Sequence, residues 1–313
     1  MAVQARQTPS GDSLFAGAMT PLASPAPEGS AQPNLASDRT GRVWLSWLET
    51  QAGGGHKFQL AALRGTGWEP TLTIAQGSNF LANWADFPSV FVTSTGTLAA
   101  HWLQRGAGNP YGIQIRTSSD GGRTWTLPKT PHHDSSAGEF GFVSFFEAPG
   151  SGLGLIWLDG RKDGAGQPGQ MSHGMAVRAA LIKEGTPGAQ AVVDPTVCEC
   201  CQTSAPRTSN GVIVAYRDKS EANIRDISVA RFANGQWSTP SNVHADNWEI
   251  NGCPVNGPAI AASGDQVAVA WFTAPAGTSL VKAAFSSDSG ATFAAPVVVD
   301  SGHPLGRLDV VRV

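Results

Sequence analysis

The chain has 313 residues, 21 of them basic and 24 acidic, for a net charge of −3. Charged side chains make up 14 % of it, well below the roughly one quarter usual in soluble domains, and the near-neutral balance excludes a generally basic nucleic-acid binder or a polybasic membrane patch. An apolar share of 41 % with ten Trp excludes a disordered chain despite 37 Gly and 21 Pro, and no apolar run reaches the ~20 residues of a membrane-spanning helix.

Residues 1–30 are rich in Pro, Ser and Ala and read as a leader or linker, poorly ordered. Their short apolar stretch, residues 14–19, has no charged flank and is too short for the core of a signal peptide. From residue 31 a repeat begins. Five segments, RVWLSWLE, TLAAHWLQ, LGLIWLDG, VIVAYRDK and QVAVAWFT, are alternating or wholly apolar and read as strands. Each carries an aromatic at the same place: Trp47, Trp102, Trp157, Tyr216 and Trp271, spaced by 55, 55, 59 and 55 residues. A short strand ending in a turn precedes each segment. A polar loop and a third strand follow it, and a fourth strand opens near Trp68, Trp125, Trp237 and Phe293. Four strands in about 55 residues with a recurring aromatic describe a β-propeller blade.

The blades fall at about 31–78, 86–130, 139–194, 203–245 and 256–300, with 306–313 as the first strand of a sixth. The expected fold is all-β, a six-bladed propeller over 31–313 whose sixth blade is incomplete here, either open or a piece of a longer chain. The recurring aromatics, Tyr216 included, are expected in the core between blades.

Two turns share the pattern S-x-D-x-G-x-T-[WF]: Ser118, Asp120, Gly122, Thr124, Trp125 and Ser286, Asp288, Gly290, Thr292, Phe293. The Asp can accept backbone N–H groups across the turn, the Gly permits a tight backbone and the aromatic can bury against the blade. The pattern resembles the Asp-box of the sialidase (BNR-repeat) superfamily, over residues of about 31–313. The motifs NWADFPS, GEFGFVS, CECCQT and GCPVNGPA resemble a bacterial BNR-repeat group often labelled exo-α-sialidase. The resemblance implies that Asp-boxes are structural and lie opposite the ligand face. It also implies that loops between blades and loops joining second to third strands share that ligand face.

Sorting the polar residues by that rule gathers Asp86, His132, His133, Asp134, Glu139, Arg161, Arg217, Asp218, Glu221, Arg225, Asp226, Asp246, Trp248, Asn251, Asn256, Arg307 and Asp309 on one face. Arg217–Asp218 and Arg225–Asp226 either salt-bridge across their loop or turn an arginine toward a carboxylate ligand, for which a guanidinium offers a two-pronged fork. His132 and His133 are either ligands or acid–base groups, or lie in a solvated turn. Trp84 and Trp248 stand outside the core series and either stack on a sugar or pack the loops. Asp86, Asp134 and Glu139 are the proton-donor candidates. Cys198, Cys200, Cys201 and Cys253 lie in consecutive loops of this face. A disulfide from Cys253 to Cys200 or Cys201 is the first expectation and would place the protein in an oxidising compartment. Thiolates with His132 or His133 holding Zn or Cu(I) are the other reading.

A sialidase site uses three arginines on the substrate carboxylate, a Tyr nucleophile helped by a Glu, and an Asp acid/base. Carried over, it finds no Arg-Ile-Pro motif before Pro33, only Tyr111 and Tyr216 as tyrosines, and no Glu matched to Tyr111. The expectation is an exported propeller, periplasmic or secreted, binding a small-molecule or glycan ligand without sialidase turnover and without a cofactor. A sialidase-type hydrolase and a Cys/His metal-binding propeller are the alternatives. Neither a nucleic-acid partner nor a transmembrane segment is expected.

Overall fold

The computed structural model describes residues 21–106, 111–132, 138–150, 152–161 and 174–311. These hold five antiparallel sheets and no α-helix, only a 3-10 turn at Pro275–Gly277. No helix among them is long and apolar enough to cross a membrane.

The first sheet comprises β1 (Ala31–Ser37), β2 (Val43–Thr50), β3 (His56–Arg64), β4 (Gly67–Trp68) and β5 (Leu72–Gly77). The second is β6 (Ser89–Val92), β7 (Leu98–Arg105) and β8 (Tyr111–Ser118), and the third β9 (Phe140–Ala148), β10 (Gly152–Asp159), β11 (Met175–Lys183) and β12 (Thr186–Val197). The fourth contains β13 (Arg207–Thr208), β14 (Gly211–Arg217), β15 (Ile227–Ala233), β16 (Gln236–Trp237) and β17 (Ser241–His244). The fifth is β18 (Ala259–Ser263), β19 (Gln266–Thr273), β20 (Leu280–Ser286) and β21 (Val297–Asp300). Within each sheet the strands pair in chain order; in the first and fourth, the fourth position is shared by two short pieces that both pair with the third strand. The strand expected at Trp125 is reduced, among the described residues, to a single bridge between Ile115 and Lys129.

The recurring aromatics all sit on second strands, each opposite a polar residue of the third: Trp47 with Gln59, Trp102 with Gln114, Trp157 with Arg178, Tyr216 with Ser228 and Trp271 with Lys282. All five are buried. Four of them enter the core between their own sheet and the preceding one. Trp102 packs with Phe58 and Leu60, Trp157 with Leu103 and Ile113, Tyr216 with Phe146 and Val177, and Trp271 with Ile213 and Val229. Second strands therefore meet apolar matter on both faces. This is why β10 and β14 are apolar almost throughout instead of alternating. Polar tips on three of these aromatics are bonded inside, Trp157 Nε1 to Asp159 at 2.8 Å, Trp271 Nε1 to Asp246 at 2.6 Å and the Tyr216 hydroxyl to Asp194 at 2.7 Å, whereas Trp47 Nε1 is buried without a hydrogen-bond partner.

First strands converge on one cavity of about 520 Å³. Asn34 of β1, Val90 and Phe91 of β6, Phe142 to Phe145 of β9, the approach to β13 at 204–206, and Ala259 and Ile260 of β18 all line it. Arg307, Leu308 and Asp309 line the same cavity, but residues 301–311 form no strand, which corrects the expectation of strand structure there.

Candidate functional site

Loops entering the first strands cluster at one end of the cavity. Asp86 reaches its wall from the loop before β6 and is buried. Its Oδ1 accepts the Phe142 N–H at 2.9 Å, while Oδ2 has no hydrogen-bond partner. Burial pushes this carboxyl up to about 7, against the opposing pull of the Phe142 N–H. Close approach is possible only because residue 141 is glycine: a Cβ there would sit 1.8 Å from Asp86 Oδ2. Gln202 donates to the Ala85 carbonyl, and its own side-chain oxygen receives the Gly257 N–H at 3.4 Å, so one residue ties three loops around the cavity.

Beside Asp86, Trp84 is 65 % exposed and carries the Arg307 guanidinium over its ring at 4.2 Å. Arg307 also donates to the Trp84 carbonyl at 3.2 Å, and Asn256 fixes the Arg307 backbone by accepting its N–H at 2.9 Å. Trp84 and Arg307 thus form a polar and aromatic edge beside the cavity that Asp86 and Arg307 both line.

Tyr111, which opens β8, is hydrogen-bonded to Glu139, so it has the glutamate partner that sequence matching did not find. Burial first, then the negative charges of Glu139 and Asp86, push the phenol up and keep it protonated. Two of the proton-donor candidates, Asp86 and Glu139, therefore act on one tyrosine. The partnership joins a third strand to the loop of the next sheet, a contact that no sequence spacing encodes. Next to it His132 stacks on Phe140, with ring centroids 3.8 Å apart, and its Nε2 accepts the Ile113 N–H at 3.0 Å. His133 and Asp134 lie outside the described residues. Arg161 is clamped to the buried Asp159 through Nε at 2.7 Å and Nη2 at 2.5 Å, and also reaches Gln190 at 2.8 Å.

Of the two readings of Arg217–Asp218 and Arg225–Asp226, the salt bridge across their loop does not form among the described residues, and neither arginine is turned to a ligand site. Arg217 is 1 % exposed, and its three guanidinium nitrogens donate to the carbonyls of Asn256 (2.9 Å), Arg225 (2.5 Å) and Phe272 (2.7 Å). Trp248 is buried against that guanidinium, 4.9 Å from ring centroid to Cζ, and packs edge-on to Phe272. It is a loop-packing residue and presents no face to a sugar. Arg225 is buried on Glu199, at 3.0 Å, and on the Cys198 sulfur. Asp226 receives the N–H groups of Asn247 and Trp248, and Asp218 the hydroxyl of Ser228 at 2.8 Å. Burial raises the Asp218 carboxyl. Glu221 stands exposed at the tip of the loop. Neither Arg217 nor Arg225 lines the cavity; Arg307 does.

No cysteine is disulfide-bonded, and Cys253 is exposed, which overturns its expected pairing with Cys200 or Cys201. With it goes the argument from disulfides for an oxidising compartment. Cys198 Sγ instead lies 3.7 Å from Cys200 Sγ and 3.5 Å from Cys201 Sγ. Hydrogen bonds from the other two thiols hold Cys198 low, so it is the first of the three to ionise, and burial raises Cys201.

The two Asp-box turns have one geometry. The Ser118 hydroxyl accepts the Gly122 N–H at 2.9 Å while Asp120 takes the N–H and hydroxyl of Thr124 at 2.9 and 2.6 Å. Ser286, Gly290, Asp288 and Thr292 repeat these distances. The Thr124 hydroxyl, then its N–H, hold the Asp120 carboxyl down at about 2. These carboxylates sit at the surface and not in a buried turn. Trp125 and Phe293 pack against the cores behind. The turns close third strands, and the first of them borders a separate cavity of about 590 Å³ that shares no residue with the central one.

Solved structures share this fold at low identity. A protein of unknown function from Dyadobacter fermentans DSM 18053 aligns with a TM-score of 0.52 and 13 % identity over 87 % of this chain and 83 % of its own. A polysaccharide lyase of family PL25, an ulvan lyase, aligns at 0.55 with 12 % identity over 85 % and 69 %. The GH93 α-L-arabinofuranosidase of Fusarium graminearum, solved with arabinobiose, aligns at 0.53 with 14 % identity over 81 % and 76 %. No protein-family model matches the chain, and no curated protein matches it in sequence. The likeness is one of fold. It falls on glycoside hydrolase and polysaccharide lyase folds and does not single out the sialidases.

Proposed function

We propose that residues 31–313 form one sialidase-like β-propeller, with residues 1–30 as its leader or linker. The propeller binds a glycan at the loop-bearing end of its central cavity. The observation that carries this reading is the edge formed there by Trp84 and Arg307, with Asp86 in the cavity wall: an exposed indole, a guanidinium and a carboxyl with an unpartnered oxygen, at a cavity of about 520 Å³. An aromatic face with a few convergent polar groups is the usual dress of a sugar site. The fold likeness to an ulvan lyase and to an arabinofuranosidase supports a carbohydrate ligand. Polymeric glycans are met outside the cytoplasm, and we place the protein in the periplasm or the medium.

Calorimetry with arabino-, uronate-containing and sialylated oligosaccharides tests the reading. Binding should weaken by about tenfold or more in Trp84→Ala, the loss of roughly 1.4 kcal/mol expected for a stacking platform, with an unchanged melting temperature because Trp84 is mostly exposed. Absence of binding across the panel, or binding indifferent to Trp84, contradicts it.

Glycan cleavage is the second reading, favoured by Asp86, which is held near neutrality, and by the Tyr111–Glu139 pair. Sialidase chemistry is not expected, because among the described residues Arg307 is the one arginine lining the cavity where that family uses three. A fluorogenic sialoside should remain intact. Turnover of any panel member that Asp86→Asn abolishes while binding persists would establish the cleavage reading.

A further inference from the structure

The loop between β12 and β13 is clamped at both ends to the last residues of β14. The Cys198 N–H donates to the Arg217 carbonyl at 3.1 Å, and Ser204 and Ala215 exchange backbone hydrogen bonds at 3.0 and 2.8 Å. The residues between have little freedom, and their sulfurs turn inward together. Cys198 and Cys201 are 1 % and 2 % exposed; Cys200 is half-buried and leaves one side of the group open. All three sulfurs lie within 4.8 Å of one another.

Sulfur–sulfur separations of 3.7 and 3.5 Å are far beyond a disulfide bond of about 2.05 Å. They are close to the about 3.8 Å between two thiolates on one tetrahedral ion with metal–sulfur bonds of about 2.3 Å. The surroundings are cationic. Arg225 Nη1 lies 3.0 Å from Cys198 Sγ, and Arg217 hydrogen-bonds to Cys201 from the other side. The Cys200 backbone N–H also points to Cys198 Sγ. Three thiolates around a cation of charge one or two leave a net negative group, which such donors neutralise. Two buried thiols and a half-buried one, packed with two buried guanidinia, have no comparable purpose as core filling, where one apolar side chain would serve without desolvating a charge.

We propose that Cys198, Cys200 and Cys201 form a three-sulfur site for one thiophilic closed-shell cation, Cu(I) or Zn(II). Soft thiolates select these ions over hard divalent cations. A trigonal sulfur set suits Cu(I) as it stands, and Zn(II) would add a water on the open side by Cys200. Cys253, exposed and outside the group, takes no part.

The test is an anaerobic titration of the full reduced chain, with Cu(I) against bicinchoninate and with Zn(II) against a chromogenic zinc chelator. One cation per chain is expected, with a sulfur-to-metal charge-transfer band in the near ultraviolet for Cu(I). An ion that outcompetes its chelator is one the site can hold. Cys198→Ser and Cys200→Ser should abolish the complex and Cys253→Ser should keep it. Cys200→Ser is the safeguard against misfolding, because Cys200 is not fully buried, and far-ultraviolet circular dichroism checks each variant. Failure of both ions to bind the folded wild type overturns the proposal. So does binding that survives Cys200→Ser, or a disulfide between two of the three cysteines in protein isolated without reductant.

Discussion

Asp86 is a buried carboxyl with one hydrogen-bonded oxygen and one bare one, so the folded state favours its neutral form. Its value is 3.8 when unperturbed and about 7 in the fold. The stability tied to this group is therefore complete below pH 3.8 and is lost as the pH rises through about 7. Asp86→Asn, which copies the neutral acid, should lift the melting temperature relative to wild type at pH 8 and leave it alike at pH 4. The difference amounts to on the order of 4 kcal/mol at most. Parallel melting curves across that range would contradict the burial argument. Arg217 makes the opposite case. It reads from sequence as an arginine for a ligand, yet its guanidinium caps three backbone carbonyls. Arg217→Ala leaves those acceptors buried without donors, at roughly 1–3 kcal/mol each, so a large fall in the urea midpoint is expected. An unchanged midpoint would contradict that role. Polar residue type marked the right loops for both, but whether a side chain faces the cavity or the backbone depends on neighbours over thirty residues away. For Arg217 these are Asn256 and Phe272, and no local pattern announces them.

At the scale of elements, the second strands and the Asp-box turns were legible because each is local. One aromatic recurs at a fixed place in a strand buried on both faces, and one Ser-Asp-Gly-Thr turn writes the hydrogen bonds of its Ser and Asp side chains within seven residues. The glycines of these turns combine positive φ with contact to the preceding sheet. At Gly290, φ is +78° and a Cβ would meet Ile213 Cδ1 at 2.1 Å; at Gly122, φ is +85° and the nearest atom is Leu72 Cδ1 at 3.2 Å. Gly290→Ala should cost about 2–3 kcal/mol and Gly122→Ala about 1 kcal/mol, from strain alone in the second and strain plus overpacking in the first. Chemical denaturation of the two variants checks the order, and equal losses would refute the packing half of the account. The missing fourth strand near Trp125 shows where a repeat misleads: the aromatic anchors the turn whether or not a strand follows it.

Across the whole molecule, five sheets turn their first strands to one cavity, and the two Asp-box turns supply none of its lining, which leaves the loop-bearing end as the surface with chemistry. The repeat made that division readable. The Tyr111–Glu139 pair and the Trp84–Arg307 stack were not readable, because each joins segments that meet only when the sheets are arranged in space. The central claim is that a glycan sits on the edge formed by Trp84 and Arg307, at the cavity wall that holds Asp86. Hydrogen–deuterium exchange of the chain with and without a saturating oligosaccharide measures it most directly. Slower exchange over residues 84–87, 202–206 and 307–309 is the predicted result; slower exchange confined to the Asp-box turns, or none anywhere, would contradict it.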